Sequence, residues 1–343
     1  MIKQLQSYFY IYIYIYAPPI FLLSANGTTI SSHLSPKPLV VDAPTETTKQ
    51  NKTSPGVTTP DPIMSFQRLV RFVNAEGTTS FGNLKSEVPN DLTGAEVEVL
   101  EGDIESGFKS TGRADKISKL LSPLPKIPLV VCIGLNYQKH ATEANLRVPP
   151  YPVVFTKPAD ALAGPYDSIS IHPDAQPMLD YEGELTVVIG KDAKNVSEAD
   201  ALSYIFGYTV GNDVSARNFQ LPDTSGGQFC YAKSFDNFAP IGPVIVSADL
   251  VSDPQQLHLV TKVNGEVRQE TETSDMIFSV AKIISHLSRG TTLRKGTIIQ
   301  TGTPSGVGLF IEPQGAGFLK DGDVVEVSID GIGAIRNKIV FEK

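Results

Sequence analysis

Short apolar runs, each bounded by glycine or proline, recur along the chain from about residue 123 onward. Runs of about four to eight residues rich in Val, Ile, Tyr and Phe favour β-strands. We therefore predict strands within these segments: IPLVVCIGLNY, PVVFTKP, LTVVIG, YTVGNDV, GPVIVS, LVTKVNG, TIIQTG, VVEVSI and AIRNKIVFEK.

Two segments have a helical pattern instead. Ser197 and Asp200 form a capping-box pattern, which predicts a helix that continues through Tyr204. An apolar stripe at helical spacing, followed by Gly290, predicts a second helix. The stripe consists of Ile277, Val280, Ile284 and Leu287. Because strands outnumber helices and do not alternate with them, we predict an α+β fold that is mainly β, not a doubly wound sheet.

The N-terminal third differs from the rest of the chain. A small β-rich domain is predicted over residues 64–122 from the segments FQRLVRFV, SFGNL and AEVEVLEG, and its end, ADKISKLL, has a helical pattern. Residues 1–63 contain a Tyr–Ile repeat and a Thr-, Ser- and Pro-rich stretch, so we predict a disordered or spurious extension there. A second, larger domain is predicted to span residues 123–343.

Composition limits the partners and the compartment. The chain of 343 residues has a formal net charge of −8, which argues against nucleic acid or an anionic membrane as a partner. Cys132 and Cys230 give no disulfide framework, and Cys132 lies in the apolar run LVVCIG, which is typical of a core thiol. We expect a cytoplasmic or mitochondrial protein rather than a secreted one.

Two glutamates stand out in the segment LDYEGELTVVIG. Glu182 and Glu184 are two residues apart, so on a strand they share one face, with Cα atoms about 7 Å apart. Buried carboxylates this close repel unless a proton or cation lies between them, and a hard ion such as Mg²⁺ prefers oxygen ligands. Asp213, at the end of a predicted strand, is the natural third ligand, although an isolated Asp there is more often a helix cap.

Other side chains suggest acid–base chemistry. His140 and Glu143 lie three residues apart, where the carboxylate can orient the imidazole as a general base, although this spacing also suits a solvated helix start. Lys157 and Lys233 are either anion-holding cations or snorkelling surface residues, and each residue taken alone favours the surface. The glycine-rich segment TGTPSGVG, residues 301–308, can present backbone N–H groups to a carboxylate or oxyanion.

These pieces occur in an order that resembles the fumarylacetoacetate hydrolase family, within its domain-containing protein 2-like subgroup. The resemblance covers residues from about 130 to 343 and is carried by eight motifs. They are CIGLNYQKHATEANL, FTKPADALAGP, LDYEGELTVVIGK, GYTVGNDVSARNFQ, KSFDNFAPIGP, VNGEVRQETETSDMIFSV, GTIIQTGTPSGVG and LKDGDVVEVSIDGIGAIRNKI. The resemblance implies a mixed β-sandwich roll of the family's C-terminal-domain type, usually a homodimer.

The resemblance also implies a role for individual residues. It places the metal, Mg²⁺ or alternatively Mn²⁺ or Ca²⁺, on Glu182, Glu184 and Asp213. It makes His140, Glu143 and Lys233 catalytic. The residues that it places against the substrate are Lys157, Arg217, Gln220, Gly302 and Thr303.

The implied reaction starts from a small keto acid and passes through a metal-bound enolate. Our first expectation is an oxaloacetate keto–enol tautomerase or decarboxylase-like enzyme. The alternatives are a carbon–carbon bond hydrolase of acylpyruvates or fumarylacetoacetate-type 1,3-diketones, and a hydroxymuconate-type isomerase or decarboxylase. Gln138 and Lys139 depart from the Arg and Asp that family members commonly have beside the histidine, which bears on substrate preference and not on metal binding.

Overall fold

Strands dominate the computed structural model, which describes residues 66–89, 91–313 and 315–343. The predicted extension, residues 1–63, lies outside the described residues. The strands are β1 Arg68–Val73, β2 Thr79–Asn83, β3 Glu96–Asp103, β4 Gly107–Lys116, β5 Lys119–Leu120, β6 Val130–Gly134, β7 Val153–Lys157, β8 Leu162–Ala163, β9 Ile169–Ile171, β10 Leu179–Asp180, β11 Gly183–Ile189, β12 Ile205–Asn212, β13 Ser215–Ala216, β14 Ala239–Ser247, β15 His258–Val263, β16 Glu266–Glu272, β17 Ile298–Gln300, β18 Val324–Ile329 and β19 Gly333–Phe341.

The α-helices among the described residues are short. They are α1 Gln138–Glu143, α2 Pro222–Ser225 and α3 Val280–Leu287, and the other helical segments are single 3₁₀ turns. No helix in the described ranges is long and apolar enough to cross a membrane. The prediction of an α+β fold that is mainly β, of the mixed-sheet type, is confirmed.

One large sheet organises the described chain. Its strands follow the order β4-β3-β2-β1-β14-β12-β11-β17-β6-β7. Most neighbours are antiparallel, but β17 and β6 are parallel. Every residue of the central strands β11, β12 and β14 is buried, because both faces of the sheet are covered there.

A second sheet, with the order β16-β15-β18-β19-β9, supplies much of the main core. Apolar residues of both sheets join one buried cluster; they include Leu185, Val187 and Val210 from the large sheet and Leu259, Val327 and Ile335 from the smaller one. The alternation of buried and half-buried positions along β18 shows that only one face of that strand meets the core. The sandwich therefore fixes the positions of β11 and β12, the two strands that lead to the candidate site.

The N-terminal strands extend the same large sheet. β1 pairs with β14, with Arg68 opposite Val246. A second apolar cluster joins them on the other face, where Phe66 and Phe206 lie 4.9 Å apart between ring centroids. The boundary near residue 122 stays a prediction.

Two local predictions differ from the structure. The helical pattern in ADKISKLL is wrong as a helix, because residues 114–116 pair with β3 and residues 119–120 pair with β1. Strand pairing in the sheet outweighs a short helical pattern. Ser197 Oγ does donate to Asp200 Oδ2 at 2.6 Å, but only a 3₁₀ turn, Ala201–Tyr204, follows.

Candidate active site

Three buried carboxylates converge where the β11–β12 hairpin ends. Glu182 precedes β11, Glu184 lies within it and Asp213 follows β12. The backbone N–H of Asp213 donates to the Glu182 carbonyl at 2.8 Å, and the Glu182 N–H donates to Asn212 Oδ1 at 2.9 Å. One oxygen from each of Glu182, Glu184 and Asp213 lies within 4.8 Å of the others.

The glycine between the two glutamates explains which way they face. A Cβ atom at Gly183 would lie 2.0 Å from Thr261 Oγ1 on the smaller sheet. No side chain fits there, so position 183 faces the packed sheet and the alternation turns Glu182 and Glu184 toward the opposite side.

Three buried cations hold the carboxylates. Lys233 Nζ donates to Glu182 Oε2 at 2.8 Å and to Asp213 Oδ2 at 2.9 Å. Arg217 Nη2 lies 2.6 Å from Glu182 Oε1. Lys157 forms an ion pair with Asp213 Oδ1 and donates to the carbonyls of Val214 and Phe238 at 3.1 and 2.5 Å. The surface interpretation of Lys157 and Lys233 is therefore wrong: acidic partners compensate the burial of both lysines.

The two glutamates differ in their electrostatics. Burial raises the pKa of Glu182, but the charges of Lys233 and Arg217 outweigh it and bring the pKa to about 2. Burial, with the negative charges of Asp213 and Glu182, raises the pKa of Glu184 well above its usual value. Among the hydrogen bonds described, Glu184 receives one from the Gly302 N–H, at 2.7 Å. Glu184 is thus the carboxylate that most needs a further positive charge or a proton.

A hard divalent cation fits this donor set. Within the described chain, four buried carboxylates, of Asp180, Glu182, Glu184 and Asp213, meet three buried cations, of Lys157, Arg217 and Lys233. With all four carboxylates ionised, the cluster therefore has one more negative charge than positive charges. All three converging groups offer oxygen atoms, the donor type that Mg²⁺, Mn²⁺ and Ca²⁺ prefer.

We expect opposite effects of the two glutamates on the stability of chelator-treated protein. The raised pKa of Glu184 means that its contribution is present below its unfolded-state pKa and is lost as the pH rises through the folded-state pKa. The lowered pKa of Glu182 means that its contribution is present above its unfolded-state pKa and is lost as the pH falls toward 2. At pH 7, Glu184→Gln should therefore raise the thermal midpoint and Glu182→Gln should lower it.

Calorimetric melts between pH 4 and 8 measure these effects, where the gain from Glu184→Gln should grow with pH. Wild-type melts with excess Mg²⁺ provide the control, because a bound cation removes the penalty on the ionised Glu184. Equal shifts for the two variants would contradict the assignment.

A histidine–carboxylate dyad lies on α1. His140 Nδ1 is 2.9 Å from Glu143 Oε2, and the Gly306 N–H donates to Glu143 Oε1 at 2.9 Å. The ring of Phe310 lies 5.9 Å from the imidazole, centroid to centroid. The i, i+3 spacing thus has the contact that the sequence predicts, and a second loop holds the carboxylate from the far side.

The segment after β17 contacts both the acidic cluster and the dyad. Gly302 has φ +104°, and a Cβ atom there would lie 2.6 Å from Asn136 Cβ, so only glycine brings its N–H against Glu184. Thr303 Oγ1 accepts from Gln269 Nε2 at 2.8 Å and donates to the Gly183 carbonyl at 3.2 Å. Backbone and hydroxyl donors therefore stand beside the acidic cluster.

The structure brings most of the predicted site residues into one hydrogen-bonded network. Gln220 Oε1 accepts from Arg217 Nη1 at 2.9 Å. Because the contacts described for Lys157 and Arg217 run to carboxylates, carbonyls and Gln220, their direct contact with substrate stays a prediction.

Four further residues that contact the site were missed by sequence reasoning: Asn136, Asp180, Tyr181 and Gln269. Asn136 Nδ2 donates to the Thr301 carbonyl at 2.7 Å, and the Tyr181 hydroxyl donates to the Gly306 carbonyl at 2.9 Å. Asp180 carries the same two-residue spacing as the glutamate pair, which is a usable signal, whereas the others give none in one sequence.

The comparisons with known proteins agree with this geometry. Residues 129–340 match the family model described as fumarylacetoacetate (FAA) hydrolase C-terminal. The chain belongs to the fumarylacetoacetate hydrolase family. It is therefore an enzyme of this family, and its similarities place it in the domain-containing protein 2-like subgroup. Its homodimeric state and its compartment stay predictions.

Two curated relatives and one solved structure illustrate the similarity. The fumarylacetoacetate hydrolase domain-containing protein 2 homolog of Dictyostelium discoideum is 42% identical over 300 residues, 79% of this chain and 97% of that protein. The mitochondrial oxaloacetate tautomerase FAHD2A of Bos taurus is 44% identical over 220 residues, 64% of this chain and 69% of that protein. The crystal structure of 2-hydroxyhepta-2,4-diene-1,7-dioate isomerase from Mycobacterium marinum superposes with a TM-score of 0.67 at 37% identity, covering 80% of this chain and 99% of that chain.

Proposed function

We propose that this chain is a divalent-metal-dependent oxaloacetate tautomerase, which interconverts the enol and keto forms of a small keto acid. The observation that carries the proposal is a buried acidic cluster and a His–Glu dyad that the same segment contacts, in a chain 44% identical to a named oxaloacetate tautomerase. Both features suit a reaction in which one proton leaves an oxygen and another is added to carbon.

Glu182, Glu184 and Asp213 would hold the ion, with Mg²⁺ as the first candidate and Mn²⁺ or Ca²⁺ as alternatives. When bound, such an ion draws electron density from the substrate's oxygens and so lowers the free energy of the enolate. Lys233 lies against two of these ligands. The positive charge of Lys233 would therefore also stabilise the negative charge of the enolate.

The dyad supplies the proton transfer. In the enol-to-keto direction, the enol oxygen loses its proton and C3 gains one, so the net change is a 1,3-shift of a proton. Glu143 orients the His140 ring through Nδ1, which leaves Nε2 to exchange a proton with the substrate. One imidazole can take the proton from oxygen and return it to carbon, which requires no water.

Donors around the acidic cluster suit a dicarboxylate substrate. Lys233 Nζ has three hydrogens, two of which go to Glu182 and Asp213, so one remains for a substrate oxygen. The Thr303 hydroxyl accepts from Gln269 and donates to the Gly183 carbonyl, so it would have to turn from that carbonyl to donate to a substrate carboxylate. These two groups explain how a short keto acid would be oriented.

A second candidate is the isomerisation of a hydroxydienedioate. The 37% identity to the M. marinum 2-hydroxyhepta-2,4-diene-1,7-dioate isomerase favours it. That reaction also moves a proton between carbon and an enol, so the same dyad would serve. The substrates differ in length, and therefore in what the pocket must accept.

A substrate panel tests the proposal. We expect purified protein with Mg²⁺ to accelerate the decay of enol-oxaloacetate absorbance, and a chelator to abolish that acceleration. Oxaloacetate decarboxylation, acetylpyruvate cleavage and 2-hydroxyhepta-2,4-diene-1,7-dioate isomerisation are measured in parallel. Rapid cleavage of acetylpyruvate with unchanged enol-oxaloacetate decay would replace the tautomerase with a hydrolase.

A further inference from the structure

Asp180 is a buried carboxylate with four hydrogen bonds and no assigned role. Its Oδ1 accepts from the backbone N–H groups of Tyr181 and Gly308 at 2.8 and 2.7 Å. Its Oδ2 accepts from Leu309 N–H at 3.0 Å and from Arg217 Nε at 2.9 Å. The residue is fully buried, and these bonds fill the lone-pair positions of a carboxylate.

These contacts join two parts of the site. On one side, Arg217 passes from Asp180 to Glu182, the candidate metal ligand. On the other side, Gly308 and Leu309 belong to the segment 306–310. Asp180 is therefore linked to the acidic cluster through the Arg217 side chain. It is linked to the neighbouring loop through the backbone N–H groups of Gly308 and Leu309.

The segment 306–310 in turn holds the dyad. Gly306 N–H donates to Glu143, and Phe310 packs against the His140 ring. Tyr181, next to Asp180 in the chain, donates its buried hydroxyl to the Gly306 carbonyl at 2.9 Å. Tyr181 thus binds the segment 306–310 at Gly306, and Asp180 binds it at Gly308 and Leu309.

The loop lies very close to Asp180 and to Gly317 at position 308. A Cβ atom at Gly308 would lie 2.4 Å from the Gly317 carbonyl and 2.7 Å from Asp180 Oδ1. Only glycine allows this approach, so the sequence itself is adapted to the Asp180 contact.

We infer that Asp180 and Tyr181 are positioning residues that fix the His140–Glu143 dyad relative to the acidic cluster through the segment 306–310. We call this set of contacts the loop clamp. The catalytic role in this inference rests on the proposed function. The contacts that link Asp180 and Tyr181 to the dyad do not depend on any substrate. Misplacing a reacting group by about 1 Å can cost about 100-fold in rate.

Hydrogen exchange tests the clamp without a substrate. Asp180→Asn replaces one carboxylate oxygen with an NH₂ group, which cannot accept a hydrogen bond. Either the Gly308 N–H or the Leu309 N–H therefore loses its acceptor. We expect amide exchange in α1 and in residues 304–312 to accelerate about tenfold or more, while β11 and β12 keep their protection. The matched control is Asp174→Asn, whose side chain is 72% exposed. An unchanged α1, or faster exchange throughout β11 and β12, overturns the inference.

Kinetics provide the second arm. Tyr181→Phe removes the hydroxyl bond to Gly306 and leaves Arg217 and Glu182 in place, so kcat should fall about tenfold while the KM for oxaloacetate and the affinity for Mg²⁺ stay unchanged. Tyr166→Phe, at an exposed tyrosine, is the control. A change in KM alone would overturn the positioning role. If the protein lacks tautomerase activity but α1 loosens in Asp180→Asn, the proposed function fails and the clamp stands.

Discussion

Glu184→Gln is expected to lower kcat/KM for enol-oxaloacetate by about 1000-fold or more at fixed Mg²⁺. A bound divalent ion would contribute several kcal/mol of charge stabilisation in the transition state, and each factor of ten in rate corresponds to about 1.4 kcal/mol. Losing an outer-shell partner of a metal costs about 10- to 100-fold in affinity, so losing a ligand should cost at least about 100-fold. Calorimetric titration with Mg²⁺ and the enol decay assay measure the two effects.

Glu184 is the cleanest of the three acidic positions to replace. Glu182 and Asp213 each hold buried cations, so their removal would leave unpaired charge in the interior and destabilise the fold. Glu184 receives a backbone N–H, and no ion pair to it is described. A loss of activity in Glu184→Gln thus reports on the ion, not on unfolding.

A glutamate elsewhere in a sheet serves as the control. Glu326 lies on β18 and accepts from Arg336 Nε at 2.9 Å. Glu326→Gln changes a strand carboxylate away from the acidic cluster and should leave kcat/KM and Mg²⁺ binding at their wild-type values. Full activity of Glu184→Gln after exhaustive chelation would disprove a metal-dependent reaction at this cluster.

The strands that carry the site were predictable because they are short, apolar and fully buried. The segments LTVVIG and YTVGNDV became β11 and β12, and the period of two placed Glu182 and Glu184 on one face. The strand β4, GFKSTGRADK, was missed because most of its residues are exposed or half-buried and show no regular alternation. It joins the sheet through backbone pairing with β3, which one sequence does not reveal.

The cations of the site show the limit of local reasoning. Lys157 and Lys233 were interpreted as surface residues because lysine is rarely buried without a partner. Their partner Asp213 lies 56 and 20 positions away, respectively. The resemblance to a known family gave these lysines a place in the site, whereas composition and spacing did not.

The hydrogen bonds of Asp180 could not be predicted from the sequence for a related reason. The spacing of Asp180, Glu182 and Glu184 shows that they share a strand-like period, but it does not show that Asp180 faces the backbone of residues 308 and 309. Asp180 lies 128 and 129 positions from Gly308 and Leu309, and no local pattern predicts contacts over such separations. Such contacts become visible only in three dimensions.

His140→Ala is expected to lower kcat for enol-oxaloacetate conversion by about 100- to 10,000-fold, the range that general acid–base catalysis provides. Mg²⁺ affinity should stay unchanged, because the dyad lies on α1 and none of the described contacts joins His140 to the acidic cluster. Lost turnover with retained Mg²⁺ binding would distinguish a catalytic base from a metal ligand. Stopped-flow measurement of enol decay gives kcat, and titration calorimetry gives the Mg²⁺ affinity.

A second histidine–carboxylate pair supplies the matched control for that variant. His258 Nε2 lies 3.1 Å from Glu270 Oε1, on strands β15 and β16 of the smaller sheet. His258→Ala removes the same chemical pair without touching the candidate site, so its kcat should equal that of the wild type. Glu143→Gln should fall between the two, because it keeps an acceptor for Gly306 but no longer stabilises a protonated His140. If His140→Ala turns over at the wild-type rate, the proton passes through another group and the dyad only supports the loop.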